Sequence, residues 1–484
     1  MSATALPPIA EAPLHTPNEL EVLDRASVLH PSTHVADFAS GKLPAVVVET
    51  ASGVRVRVSE NGAPATELID AFAGLYCVNI GYGRTEVADA IARQAHQLAY
   101  FHTYAGHSTV ELVRLSDRLV KMAPHSADGP MQRVFYGTSG SDANETNAKL
   151  VWYYHNLIGK PKKKRIIARE RAYHGNSVMA GSMTGLNFYH NFMDLPVSAI
   201  VRTGAPHHYW GANLGETEEQ FSARRAQELE ELILAEDPET IGAFIGEPVL
   251  GTGGLIPPPA GYWSAIQAVL RKYDILLIAD EVITGFGRTG QLFGCNRYDI
   301  QPDLITIAKG LTSAYAPLSG VIVGKRVYDV LEAGAAQAGT FPHGYTYTGH
   351  PIGVAAANAN LDILERENLT RNADEVGNYM LAALHDAFDG LPITGEVRGV
   401  GLMLAVEFVA DPATKRRLDP SLTVAYRISK RARELGLITR AMPQSESLGF
   451  APPLVLTKPE ADQIVATAAQ ATREIIDELA REGR

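Results

Sequence analysis

Short apolar runs alternate with helical patterns in the middle of this 484-residue chain, and this alternation constrains the fold most strongly. The runs occupy residues 133–136, 166–168, 241–245, 275–279, 304–308 and 320–323. Each is short and apolar on both faces, as in a strand whose sheet is covered by helices on both sides. Helical patterns lie between several runs, for example at residues 221–235 and 262–272. We therefore predict an α/β fold with a mostly parallel sheet.

The two ends of the chain follow a different pattern. Residues 46–58 alternate in strand fashion and predict an antiparallel element, whereas the first twenty residues are Pro-rich and polar and predict a loose arm. A chain of this length is long enough for two domains. We expect a large domain of residues 73–350 and a smaller α+β domain of residues 351–484, which the N-terminal segment 1–72 joins. The elements predicted for the C-terminal part are helices at 353–366, 375–388, 423–435 and 459–481 and a strand at 402–408.

Charge and composition narrow the possible partners and location. The formal net charge of -11 argues against a nucleic-acid partner, and the one basic run, residues 162–164, is predicted to be a solvated loop. There is no secretory signal pattern, and no stretch approaches the ~20 apolar residues that cross a bilayer, so we expect no membrane partner. The two cysteines, Cys77 and Cys295, lie far apart and indicate a reducing compartment. We expect a cytoplasmic protein.

Lys309 is the first residue with a chemical role to consider. It directly follows the apolar run 304–308, which places an amine at the end of a buried strand, where open α/β sheets bind their ligands. A desolvated lysine has a lowered pKa and can attack an aldehyde. The alternative is a strand-end lysine whose amine extends into water.

Asp280 ends another apolar run, residues 275–279. A carboxylate at that position is costly to bury unless it meets a cation. A protonated pyridine nitrogen is such a cation, and the carboxylate would keep the ring able to accept electrons. An ion pair with Arg288 or a helix cap would also satisfy Asp280. Lys309 and Asp280 are therefore informative as a pair rather than singly.

Small and hydroxyl residues follow the first apolar run. Ser139, Gly140 and Ser141 come directly before a helical pattern. A helix N-terminus presents free N–H groups and a partial positive charge, both of which suit a phosphate dianion. A serine-capped helix start without a ligand is the alternative.

Two other motifs are predicted to have no ligand. Gly285, Gly287 and Gly290 match the G-x-G-x-x-G fingerprint of dinucleotide-binding proteins, but the residues that follow have no helical period. A nicotinamide-dependent oxidoreductase therefore remains only a minor alternative. His207 and His208 have no third ligand at a metal-binding spacing, so we expect surface histidines and no metal.

Taken together, these motifs give the chain a family resemblance. It resembles the class III pyridoxal-phosphate-dependent aminotransferases, which have the aspartate-aminotransferase fold (fold type I), from about Leu75 to the C-terminus. The motifs that carry the resemblance are residues 74–83 (GLYCVNIGYG), 139–141 (SGS), 173–175 (YHG), 246–248 (GEP), 280–290 (DEVITGFGRTG), 308–310 (AKG) and 346–351 (TYTGHP).

The resemblance implies a role for each matching residue. Lys309 would hold pyridoxal 5'-phosphate as a Schiff base and later move the proton between the substrate carbon and the cofactor. Asp280 would pair with the pyridine nitrogen, between Val282 on one ring face and Tyr173 on the other. The remaining cofactor-binding residues are Ser139, Gly140 and Ser141 at the phosphate, His174 and Glu247 at the frame of the site, and Thr346, which would reach the phosphate from the partner subunit.

Within that family the chain is most similar to the pyruvate-dependent amine (omega) transaminases. Arg440 matches a mobile arginine that would bind the keto acid carboxylate and swing away for an amine without one; an ordinary surface ion pair is the alternative. Tyr76 and the partner's Tyr104 would line the donor pocket. The loop 251–254 lacks the glutamate of ornithine and 4-aminobutyrate enzymes, and the segment 449–453 lacks their arginine. These differences weaken an omega-amino-acid donor without excluding beta-alanine or taurine.

The resemblance therefore predicts ping-pong transfer of an amino group from a primary amine or omega-amino compound to pyruvate. The assembly would be a homodimer or a dimer of dimers. A racemase or a decarboxylating transaminase that uses the same cofactor remains an alternative.

Overall fold

The computed structural model describes residues 16–60, 62–443 and 446–483. Its strands are β1 (Val46–Ser52), β2 (Arg55–Glu60), β3 (Thr66–Asp70), β4 (Met131–Gly137), β5 (Arg165–Arg169), β6 (Ile200–Thr203), β7 (Ile241–Gly246), β8 (Leu276–Asp280), β9 (Leu304–Ile307), β10 (Ser319–Gly324), β11 (Thr394–Val400), β12 (Met403–Phe408), β13 (Leu437–Ile438), β14 (Arg440–Ala441) and β15 (Ser447–Phe450).

The helices range from single turns to the 24-residue helix near the C-terminus. They are α1 (Pro17–Ser27), α2 (Val35–Ala39), α3 (Ala73–Tyr76), α4 (Thr85–Gln97), α5 (Val110–Met122), α6 (Gly140–Leu157), α7 (Val178–Met183), α8 (His208–Gly211), α9 (Glu218–Ala235), α10 (Tyr262–Lys272), α11 (Gly294–Arg297), α12 (Lys325–Ala338), α13 (Pro351–Arg366), α14 (Leu369–Phe388), α15 (Val424–Glu434) and α16 (Lys458–Arg481).

The central sheet has seven strands in the order β4-β10-β9-β8-β7-β5-β6. Its β9, β8, β7, β5 and β6 pair in parallel, whereas β10 is antiparallel to both β4 and β9. The prediction of an α/β fold with a mostly parallel sheet is confirmed. Strand β6 was not predicted, because it has only four residues and includes the charged Arg202.

The inner strands are buried on both faces because helices cover the sheet from both sides. Along β7, Phe244 packs into one hydrophobic cluster, while Ala243 and Ile245 pack into another. Burying a phenylalanine or isoleucine side chain stabilises a fold by about 1.5–3 kcal/mol. The apolar runs are therefore continuous rather than alternating, which is the pattern from which the strands were predicted.

Two smaller sheets use the ends of the chain. The order β1-β2-β3-β13 places the N-terminal strands next to a C-terminal segment, and β11-β12-β15-β14 forms a sheet entirely from C-terminal residues. The predicted antiparallel element at residues 46–58 is the β1–β2 hairpin, in which Val54, Val56 and Val58 are buried. None of the helices within the described ranges is both long and apolar enough to cross a membrane.

Two sequence-based expectations are wrong, one of them in part. The first twenty residues were expected to be a loose arm, of which residues 1–15 lie outside the described part of the chain. From Pro17 the expectation is wrong, because Thr16 and Glu19 form a capping box at the start of α1. The basic run 162–164 was expected to be solvated, but Lys163 is fully buried. Its ammonium donates hydrogen bonds to the carbonyls of Ile241, Tyr273 and Asp274.

Candidate active site

Two neighbouring strands bring Lys309 and Asp280 to the same edge of the central sheet. β8 ends at Asp280, which lies opposite Thr306 of the parallel strand β9, and Lys309 follows two residues after the end of that strand. Both side chains line one cavity of about 170 Å³. The other lining residues are Gly140, Ser141, Tyr173, His174, Gly175, Glu247, Val282, Ile283 and Ala308.

The Lys309 amine lies in a desolvated environment. Its Nζ atom is 5.2 Å from the ring centroid of Tyr76, and its backbone has a φ of 43°, a strained value that is common at functional sites. Burial lowers the pKa of this amine, although the negative charges of Asp280 and Glu247 oppose the shift. The lowered pKa favours the neutral amine, which is the nucleophilic form.

Three hydrogen bonds fix the orientation of Asp280. One carboxylate oxygen accepts from Nδ1 of His174 at 2.7 Å and from Nδ2 of Asn144 at 2.9 Å. The other accepts from the N–H of Val282 at 3.1 Å. Arg288, the alternative partner, instead donates to the carbonyls of Leu402 and Pro452 and to the side chain of Asn79.

Asn144 is a site residue that sequence reasoning missed. Besides binding Asp280, its Nδ2 donates to the carbonyl of His174 at 2.8 Å. Its Oδ1 accepts from the Thr306 hydroxyl at 2.8 Å and from Nδ2 of Asn147 at 3.0 Å. This buried network links α6, β8 and β9. Its sequence signal is the pair of asparagines three residues apart, and therefore on one helix face, among the apolar residues of α6.

The N-terminus of α6 closes another side of the cavity. The Ser139 hydroxyl accepts from the N–H of Asp142 at 3.2 Å and caps the helix. The N–H groups of Gly140 and Ser141 have no acceptor among the residues that the structure describes. A Cβ atom on Gly140 would lie 3.1 Å from Val282 Cγ2, so the backbone approaches the cavity closely there. Free N–H groups at a helix N-terminus are suited to a phosphate.

These features fit pyridoxal 5'-phosphate. The cofactor has an aldehyde, a pyridine nitrogen and a phosphate, and the cavity offers an amine, a carboxylate and a helix N-terminus. A fit to all three parts is more specific than any one of them. Lys309, Asp280 and the first turn of α6 would hold these groups.

Glu247 connects the cavity to the loops around it. Its carboxylate accepts from the N–H of Gly251 at 3.0 Å and from that of Tyr173 at 3.4 Å. Burial raises its pKa. Arg169, which is also buried, donates to the Glu247 carbonyl at 2.5 Å. Glu247 therefore positions the Tyr173 segment and the Gly-rich loop together.

Tyr76 and Arg440 lie near Lys309. Tyr76 is 1% exposed, and burial raises the pKa of its hydroxyl; Thr252 lies nearby, but no hydrogen bond of normal geometry joins the two side chains. The positive charge of Arg440 opposes the rise in the pKa of Tyr76 and of Tyr173. Within the described ranges the guanidinium of Arg440 has no carboxylate partner. A cation that lacks an anion beside the cavity is suited to a substrate carboxylate.

Tyr104 and Thr346 do not line this cavity within one chain. Tyr104 is 49% exposed and lines a separate cavity with His343 and Thr348. Thr346 is exposed, and its carbonyl accepts a hydrogen bond from the Tyr100 hydroxyl at 2.7 Å. Their predicted action on a partner subunit's site stays a prediction.

The two motifs that were predicted to have no ligand differ in outcome. His207 was expected at the surface, which is wrong: it is buried, with Nδ1 3.1 Å from Arg171 and Nε2 3.2 Å from Glu396. The glycine motif 285–290 lies in turns, and the first helix after it is the four-residue α11. It does not open a helix as a dinucleotide-binding fingerprint would.

Known proteins are similar to this chain in both sequence and fold. The model of the class-III aminotransferase family matches residues 37–472. An uncharacterized aminotransferase of Sinorhizobium fredii is 65% identical over 462 residues, which cover 95% of this chain and 97% of that protein. A diaminobutyrate–2-oxoglutarate transaminase of Halomonas elongata is 55% identical over 463 residues, with coverage of 95% and 97%. The crystal structure of the omega transaminase from Pseudomonas jessenii in complex with PMP superposes with a TM-score of 0.90 at 40% identity, covering 95% of this chain and 99% of that one.

Proposed function

Because the chain belongs to the class III aminotransferases, which use pyridoxal 5'-phosphate, we propose that it transfers an amino group from a primary amine or omega-amino compound to pyruvate by a ping-pong mechanism. The observation that carries the proposal is the cavity that Lys309 and Asp280 share, with the guanidinium of Arg440 beside it, for which the described residues provide no carboxylate partner. The amine of Lys309 and the carboxylate of Asp280 would bind the cofactor, and the guanidinium of Arg440 would bind the carboxylate of the keto acid.

Each of these residues has a defined role in the proposed reaction. When bound, the cofactor supplies an electron sink for negative charge on the substrate carbon. The Lys309 amine holds the cofactor and, once released, takes the proton from the amine-bearing carbon and later returns it. Burial favours the neutral form of Lys309 needed for this base. Asp280 binds the pyridine nitrogen, and His174 and Asn144 keep its carboxylate in place.

The acceptor is proposed from the charges near the cavity. Arg440 offers one guanidinium, and pyruvate carries one carboxylate. The relative from Halomonas elongata is named for 2-oxoglutarate, which carries two. The nearby Arg398 is already paired with Glu396 and Glu407 and donates to the carbonyl of Gly254. This arrangement favours the acceptor with one carboxylate.

The amine donor is proposed from the aromatic residues beside Arg440. Phe72 and Tyr76 are buried aromatic residues on the side of Arg440, and they offer an apolar surface to an amine without a carboxylate. For such a donor, Arg440 would have to turn away from the cavity. A primary amine therefore fits if the guanidinium moves between the two half-reactions.

An initial-rate screen tests this proposal. Putrescine, beta-alanine, taurine and 1-phenylethylamine are each assayed with pyruvate and, in parallel, with 2-oxoglutarate. We expect at least one donor to react about tenfold faster with pyruvate. Faster reaction with 2-oxoglutarate for every donor would contradict the acceptor. Racemisation without a keto acid, or release of carbon dioxide, would favour the alternative chemistries.

The assembly, location and domain division are proposals of the same kind. We propose a homodimer in which Tyr104 and Thr346 serve the partner's cavity, since both are exposed and outside their own. The free thiols of Cys77 and Cys295 support a cytoplasmic location. The pairing of β3 with β13 supports a small domain that is built from both chain ends.

A further inference from the structure

A buried carboxylate organises the turn that leads from β3 into the active site. Asp70 is 3% exposed. It accepts hydrogen bonds from the N–H of Phe72 at 2.9 Å, the N–H of Gly74 at 2.6 Å and the hydroxyl of Tyr82 at 2.6 Å. Bonds from N–H groups to a carboxylate are among the stronger hydrogen bonds in proteins.

The turn that these bonds hold is strained. Ala73 and Tyr76 have φ values of 46° and 62°, in the left-handed region that residues with a Cβ rarely adopt. Gly74 between them has φ 66° and ψ -91°, a combination that only glycine adopts readily. Strained backbone persists only where surrounding structure determines it, and it is common at active sites. The Asp70 carboxylate, at the centre of this turn, is such a determinant.

The turn carries two aromatic rings that reach both reacting ends of the site. Phe72 and Tyr76 have ring centroids 4.4 Å apart and form one platform. The Tyr76 ring lies 5.2 Å from Nζ of Lys309, and the Phe72 ring lies 5.6 Å from the guanidinium carbon of Arg440. The amine of Lys309 and the guanidinium of Arg440 therefore both lie near aromatic surface that one five-residue segment, residues 72–76, presents.

We propose that Asp70 is a positioning residue: it holds the Phe72–Tyr76 platform and thereby aligns the amine of Lys309 with the guanidinium of Arg440. This proposal rests on the proposed function, in which these two groups act on one keto acid. The spacing between them is set by one turn, so a change at Asp70 moves both contacts together. A misplacement of about 1 Å at reacting groups lowers rates by about 100-fold.

The main variant is Asp70→Asn. It keeps the size of the side chain but turns one acceptor oxygen into an N–H₂ donor, which opposes the N–H groups or the hydroxyl that now bind there. In single-turnover absorbance measurements on the cofactor-bound enzyme, we expect the amine and the keto acid half-reactions each to slow by roughly 10- to 100-fold, with a raised KM for pyruvate.

Gly74→Ala strains the same turn and leaves Asp70 intact, so it is expected to reproduce the changes in both half-reactions. The matched control is Asp303→Asn. Asp303 is also a buried aspartate and accepts from the N–H of Leu277 at 2.8 Å, away from the cavity. Its loss should lower the Tm without changing kcat or KM.

Crystal structures of the two active-site variants give a readout that does not depend on turnover. We expect the Phe72 and Tyr76 rings to shift relative to Lys309. Wild-type ring positions in both variants, or kinetic constants no different from those of Asp303→Asn, would overturn the proposal. If the wild type transfers no amino group to any keto acid, the proposed function fails instead, and the ring positions still decide whether Asp70 holds the platform.

Discussion

Replacing Arg440 with leucine is expected to weaken the keto acid half of the reaction and spare the amine half. The guanidinium is half-buried and has no carboxylate partner among the described residues. A hydrogen bond to a charged group contributes about 1.5–3 kcal/mol. Since about 1.4 kcal/mol corresponds to a tenfold change in affinity, the KM for pyruvate should rise by roughly 10- to 150-fold. Leucine keeps the apolar contact with Phe72 while removing the charge.

Stopped-flow absorbance separates the two half-reactions and provides the assay. The rate with 1-phenylethylamine should stay within about threefold of wild type, and only the pyruvate reaction should slow. An aldehyde acceptor is the matched substrate control, because it lacks the carboxylate and should react equally with both enzymes. Arg427→Leu is the matched protein control, since Arg427 pairs with Glu478 of α16 and with Glu482, which follows that helix.

Two results would refute this reasoning. An unchanged KM for pyruvate would mean that Arg440 does not bind the carboxylate. An equal loss with pyruvate and with the aldehyde would mean that the substitution damages the site in general rather than removing one ionic contact.

Three further predictions concern Lys163, Asn144 and His155. Lys163→Met should lower the free energy of unfolding by about 2–4 kcal/mol in urea denaturation, because one buried and two partly buried carbonyls lose their donor. Lys162→Met, at an exposed position, is the control and should change the free energy of unfolding by less than about 0.5 kcal/mol. Asn144→Leu removes a hydrogen-bond donor to Asp280 and should slow transamination by about 5- to 150-fold. It should also raise the Kd of the cofactor, measured by equilibrium dialysis. An unchanged rate and an unchanged Kd would mean that the hydrogen bonds of Asn144 have no functional role. Burial lowers the pKa of His155 from 6.5 to about 4, so the unfolded chain binds the proton more readily and stability falls as the pH drops from 6.5 to 4. His155→Gln should therefore reduce the loss of unfolding free energy over this pH range by up to about 3 kcal/mol. An unchanged slope of stability against pH would contradict the lowered pKa of His155.

The sequence predicted six of the seven strands of the central sheet, because most of these strands are apolar on both faces. It did not predict the direction of β10, since an antiparallel strand buried in the same way has the same composition. The location of Lys163 could not be read from the basic run either. Its partners are the carbonyls of Ile241, Tyr273 and Asp274, which only the folded chain brings near it.

In the active site, too, some residues could be found from the sequence around them, whereas others could be found only from their contacts in the folded chain. Lys309 and Asp280 could be found because each ends an apolar run, and strand ends of a parallel sheet meet at one edge. Asn144 and Asp70 could not be found in this way. Their importance depends on what they contact, namely the carboxylate of Asp280 in one case and the strained turn before Tyr76 in the other.

Reduction with borohydride tests most directly whether Lys309 holds the cofactor and exchanges it for an amine. The purified enzyme is reduced, digested and analysed by mass spectrometry, with and without prior incubation with an amine donor. We expect the pyridoxyl group on the peptide that contains Lys309, and a loss of that label after incubation with the donor. Label on another lysine, or label on Lys309 that no amine removes, would contradict the account.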